Sequence, residues 1–142
     1  MPMKRILTLL GCAFLLMQGV SLAHEGEMHG DHHAEARMNK LHRMMPKYAK
    51  SQTRINAALE QGDVGTVSKE TGYLLSTAAD LKKSKPHRKR KDLKEYRSIA
   101  GSFEKDVKST AERAGKGDFE GAKAAFSNAQ KKCSACHVKF RD

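Results

Sequence analysis

Inward-facing candidates recur at alternating steps of three and four along four separate stretches of the chain. The first runs Met38, Leu41, Met45, Tyr48, Gln52, Ile55, Leu59, and the second Val64, Val67, Thr71, Leu74, Ala78, Leu81. The third runs Leu93, Tyr96, Ala100, Phe103, Val107, Thr110, Ala114, and the last Phe119, Ala122, Phe126, Ala129, Cys133, Cys136, Phe140. Each stripe marks one buried face of a helix. Gln61-Gly62-Asp63 and Lys116-Gly117-Asp118 each offer a glycine to end one helix and an aspartate to cap the next. Pro86, inside the charge run Lys82 to Lys91, separates the second stripe from the third. Connections this short make neighbours antiparallel, so the pattern predicts an all-α, up-down-up-down four-helix bundle. Pro46 interrupts the first stripe and is expected to kink or split that helix near His42 to Met45.

Composition supports the same reading. Beyond residue 23 the chain has 15 Ala against six Val and Ile together, and straight-chain Lys, Glu, Gln, Leu and Met fill most of the rest. Propensity therefore favours helix wherever the stripes do.

The first 23 residues have another character. Lys4 and Arg5 precede an apolar run from Ile6 to Met17, and Ser21-Leu22-Ala23 closes it with small residues. That order predicts a secretory signal peptide cleaved after Ala23, and hence a periplasmic or otherwise exported protein. A retained anchor is the alternative, but the run is about half of the ~20 residues a span needs. A lipoprotein reading of Leu9-Leu10-Gly11-Cys12 leaves too short an apolar core. No second apolar run follows, so no membrane span is expected in the mature chain.

Residues 24–33 carry four of the seven histidines, His24, His29, His32 and His33. They read as a mobile, solubilising tail; loose binding of a transition metal is the sharper alternative. The four-helix domain then occupies residues 34–142. Lys and Arg number 27 against 16 Asp and Glu, a formal net charge of +11. Export excludes chromosomal nucleic acid as the partner of that charge.

Cysteine usage carries the chemistry. Cys12 falls in the signal, which leaves Cys133 and Cys136, too few and too close for a disulfide scaffold. Cys133-Ser134-Ala135-Cys136-His137 is C-x-x-C-H, the pattern of covalent haem c attachment. On a helix, positions i and i+3 share a face, so both thiols can add to the two vinyl groups of one porphyrin. His137 then sits beneath the iron as proximal ligand. A zinc site would need a second cysteine pair. A reactive dithiol would need a helix N-terminus, whereas this motif ends a helix. No base is positioned beside a nucleophile, so the sequence does not suggest an enzyme.

A C-x-x-C-H about six residues from the end of an exported four-helix chain resembles the class II c-type cytochromes, the cytochrome c′ family. Phe140 and Arg141, three and four residues after His137, match the family's closing pattern. Gly117-Asp118-Phe119 with Ala122, Ala125 and Phe126 matches its last helix. The resemblance covers roughly residues 34 to 142 and implies one haem c, with Arg141 beside the proximal histidine. It also implies that the first helix supplies the residue on the distal face. That residue is a ligating Met in a low-spin electron carrier, or a non-ligating apolar residue in an open site that binds NO or CO. Counted back from the helix end at Leu59 to Gly62, the distal position falls on Met45. Counted from a basic residue four before it, Arg37, it falls on Leu41. Met38 is the next candidate ligand and His42 the third.

Topology adds an expectation. The start of the first helix, the end of the second and the start of the third share the haem end of an up-down bundle. Met38 to Met45, Leu74 to Leu81 and Tyr96 to Ile99 should therefore line the pocket. The basic connection Lys82 to Lys94 falls at the same end, where it can steer an acidic redox partner or simply keep the loop solvated. One-electron transfer is the leading function, gas binding the alternative. The family resemblance also allows a homodimer.

Overall fold

The computed structural model describes residues 28–141, with side chains from Glu35 onward. The proposed signal peptide lies outside the described residues, as does the start of the tail. Four helices follow one another: α1 (Met28–Gln61), α2 (Val64–Lys83), α3 (Leu93–Gly115) and α4 (Phe119–Phe140). Among the described residues there is no strand. No described helix is long and apolar enough to cross a membrane. Consecutive helices pack side by side and α1 closes the bundle against α4, with α3–α4 the most extensive seam and α1–α4 the sparsest.

The turns form where the punctuation placed them, and for the expected reasons. Gly62 and Gly117 take φ of +67° and +78°, a left-handed conformation that costs an L side chain energy but not glycine. Asp63 then accepts from the Thr66 amide at 3.0 Å and Asp118 from the Gly121 amide at 2.9 Å. Each cap satisfies a donor that the first helical turn would otherwise leave unpaired. The Thr66 side chain, with the Thr66 amide, holds the Asp63 carboxyl below its usual range, and the Gly121 amide, with Arg113, does the same for Asp118.

The core is the meeting of four stripes. Ile55, Val67, Leu74, Ala78, Val107, Ala122 and Ala129 have no exposed surface, and Phe126 has almost none. Each of the larger aliphatic side chains stabilises the bundle by roughly 1.5–3 kcal/mol through burial alone. Tyr48 stacks on Phe103 with centroids 5.8 Å apart and meets the edge of Tyr73 at 6.0 Å.

Two expectations are corrected. The split at Pro46 does not occur, and α1 runs unbroken through it. Pro46 and His42, whose carbonyl loses its donor, both lie on the exposed face, where solvent can take the missing partner's place. The first stripe is also not one face. Leu41, Met44, Tyr48, Ser51, Ile55 and Ala58 are buried, whereas Met38, Met45 and Gln52 are half-buried beside them. Met44, not Met45, is the core methionine.

Candidate functional site

Cys133, Cys136 and Phe140 continue the α4 stripe that begins with the buried Ala122, Phe126 and Ala129. The core face of α4 therefore carries both thiols inward as it approaches its end. Both are free and half-buried. Burial pushes the Cys133 thiol up to about 11, with the neighbouring Cys136 adding to the shift. Burial likewise raises the Cys136 thiol. Both shifts run opposite to the lowered pKa of a reactive dithiol.

The two thiols open on a mostly apolar cleft of about 80 Å³. From α4 it is lined by Lys132, Cys133, Cys136 and His137. Facing them from α1 are Met45, Tyr48, Ala49 and Gln52. Leu81 of α2 and Ile99, Ala100 and Phe103 of α3 close the remaining walls. Gln52 donates from Nε2 toward the Cys133 sulfur at 3.8 Å, reaching from α1 to α4. The Tyr48 hydroxyl is occupied elsewhere, 2.8 Å from Thr77 Oγ1 and donating to the Leu74 carbonyl at 3.3 Å. Burial raises its pKa to about 12, so it is a neutral phenol.

Of the expected lining, Met45, Leu81 and Ile99 border the cleft, which continues to Tyr48, Gln52 and Phe103. Cys133 lies seven residues before the end of α4, about 10 Å along the axis. Gln52 was already on the inward stripe, and that was the available signal for its role.

The other expected site residues are placed differently. Leu41 belongs to the core and lines a separate, larger surface groove with Met44, Arg37 and Arg97. That groove holds the Lys40–Asp80 ion pair (2.8 Å) and neither thiol nor imidazole. Met38 packs on the edge of the core. His42 does not line the cleft, and its Nε2 lies 3.0 Å from that of His87. Arg141 caps α4, donating its backbone N–H to the His137 carbonyl at 3.0 Å.

The last turn of α4 is anchored on three sides. Phe140 is buried with its ring edge-on to Tyr96, its carbonyl accepts from the Arg88 amide at 3.1 Å, and Lys139 pairs with Glu95. The Arg88 contact fixes the basic connection at the α4 end, as topology required. Lys82 is paired with Glu104 at 2.6 Å. Lys85, Arg88, Lys89, Arg90 and Lys91 are exposed.

Two thiols one helical turn apart and an imidazole on the next residue, facing an apolar cleft, suit an iron porphyrin: thiols for its vinyl carbons and a nitrogen for its iron. Fold and site together define a c-type haem protein built on a four-helix bundle. A family model described as cytochrome C′ matches residues 33–141, and the chain belongs to that family. Its cofactor is accordingly haem c, covalently attached. Comparison with curated proteins and with solved structures gave no match.

Proposed function

We propose that this cytochrome is a periplasmic one-electron carrier. In this reading Cys133 and Cys136 hold the haem through thioether bonds, His137 is the proximal ligand and Met45 the distal one. The observation that carries it is the position of Met45. Of the three ligand candidates on α1 it alone lines the cleft that Cys133, Cys136 and His137 line from α4; Met38 and His42 lie elsewhere. Bound there, the haem supplies a ferric–ferrous couple, and a thioether on iron raises its potential.

The chain's own residues do the rest. Leu81, Ile99, Ala100 and Phe103 exclude water. Gln52 gives the cleft a polar wall beside Cys133. Phe140, Tyr96 and Arg141 hold the turn that carries His137. The exposed basic residues from Lys85 to Lys91 offer an acidic redox protein a docking face near the α4 end. Export through the N-terminal signal, residues 24–33 as a solubilising tail and the absence of catalytic activity complete the proposal.

The absorption spectrum of the reduced protein tests it. A six-coordinate low-spin spectrum unmoved by carbon monoxide is expected, and Met45→Ala should convert it to one that shifts with carbon monoxide. A wild-type spectrum that is high-spin and shifts with carbon monoxide would overturn the carrier in favour of a five-coordinate NO or CO binder.

A further inference from the structure

Among the described residues, one pair of histidines lies outside the haem site. His42 on α1 and His87 in the basic connection are 45 residues apart in sequence, yet their Nε2 atoms are 3.0 Å apart. The ring planes are within 12° of parallel and the centroids are 5.0 Å apart. The rings therefore face each other through their Nε2 corners rather than lying face upon face. Both side chains are exposed, while their neighbours Leu41 and Pro86 are buried and the Arg88 amide is held by the Phe140 carbonyl, so the backbone on either side of the pair is fixed. A neutral hydrogen bond between two imidazoles in water stabilises the contact only weakly.

We propose that His42 and His87 together bind one divalent transition-metal ion, copper(II) best, on the surface between α1 and the basic connection. Metal–imidazole bonds are about 2.0–2.1 Å long. Two nitrogens 3.0 Å apart at that radius subtend about 95° at the ion, close to the right angle between neighbouring ligands of a tetragonal centre. A single ion can therefore take both imidazoles, with water in the remaining positions.

Charge narrows the choice further. Arg43 and the exposed Lys85, Arg88 and Lys89 are close in sequence to the two histidines, and each repels a cation. At 4 Å in water that repulsion is about 1 kcal/mol per charge, and salt screens it. Hard ions such as magnesium and calcium prefer oxygen ligands, so they gain little here to offset it. Copper(II), at the top of the affinity order for nitrogen ligands, binds imidazole strongly enough to overcome it.

The test uses the haem-loaded full-length mature protein with His24, His29, His32 and His33 replaced by alanine, so that the tail cannot compete. Titration with copper(II) alone, followed by calorimetry and by the copper EPR signal, should give one ion per chain with splitting from two nitrogens. H42A and H87A should each weaken that binding tenfold or more and remove the two-nitrogen pattern. Because both side chains are exposed, the helical circular dichroism and haem spectrum should not change, which separates loss of the site from loss of the fold. Copper binding of equal stoichiometry and affinity in the H42A/H87A double variant would overturn the proposal, as would no binding before substitution.

Discussion

Tyr96 meets Phe140 edge to face at 5.4 Å between centroids, and its hydroxyl lies 2.6 Å from Ser84 Oγ and donates to the Leu81 carbonyl at 3.2 Å. One side chain thus joins the start of α3 and the end of α2 to the turn of α4 that follows His137. Phe140→Ala removes the buried ring and should cost about 3–5 kcal/mol, with less haem incorporated per chain because His137 is no longer held. Tyr96→Phe keeps the ring and loses only the hydroxyl, at about 1–2 kcal/mol. Urea unfolding and the haem-to-protein absorbance ratio measure the two effects; equal losses would show that the ring contact contributes nothing beyond the hydroxyl.

Met44 and Met45 are neighbours with opposite duties. Met44 is 5% exposed inside the core, whereas Met45 borders the cleft. Met44→Ala should cost about 2–5 kcal/mol and leave the reduced spectrum in place. Met45→Ala should cost less stability and change the spectrum. Urea midpoints and absorption spectra of the two variants check this exchange of phenotypes.

The same pair shows what was legible in the sequence. The third stripe is buried at Tyr96, Ala100, Phe103, Val107, Thr110 and Ala114, where its period placed it, and both Gly-Asp turns cap their helices. The first stripe was harder because adjacent apolar residues lie about 100° apart on a helix. A period of three and four passes through either Met44 or Met45, and only the neighbouring helices decide which is core. Glu70 was invisible for a similar reason. A lone carboxylate on a helix reads as solvated, and its burial depends on Ser51 and Arg54 facing it from α1. The His42–His87 contact depends on how the basic connection folds back, which no local pattern encodes.

Glycine has opposite value at two positions. At Gly117 φ is +78°, so Gly117→Ala should cost about 1–2 kcal/mol through left-handed strain. Gly72 lies exposed within α2, and a Cβ built there meets nothing within 4 Å. Gly72→Ala should therefore stabilise by about 0.5–1 kcal/mol by removing glycine's excess freedom in the unfolded chain. Urea midpoints at unchanged m-value distinguish the two signs; a destabilised Gly72→Ala would mean that α2 is covered there by a partner.

Glu70 makes stability depend on acid pH. Its carboxylate is buried at 6% exposure, accepting from the Ser51 hydroxyl at 2.7 Å and from Arg54 Nη1 at 2.8 Å. The Ser51 hydrogen bond, opposed by burial and helped by Arg54, holds the carboxyl below its ordinary 4.5. Between that lowered value and 4.5 the unfolded chain binds more protons than the folded one, so stability rises with pH there. The contribution is complete above 4.5 and is lost as pH falls through the folded value. Between that lowered value and 4.5, urea midpoints of the wild type should fall more steeply with falling pH than those of Glu70→Gln, which has no proton to take up. Ser51→Ala should cost about 1–3 kcal/mol at neutral pH by leaving a carboxylate oxygen without its donor, and should flatten the acid slope. Arg54→Ala should cost only about 0–1 kcal/mol, since the Arg54 side chain is 48% exposed. Parallel pH profiles for wild type and Glu70→Gln would place the acid sensitivity of the bundle elsewhere, in the capping carboxylates Asp63 and Asp118.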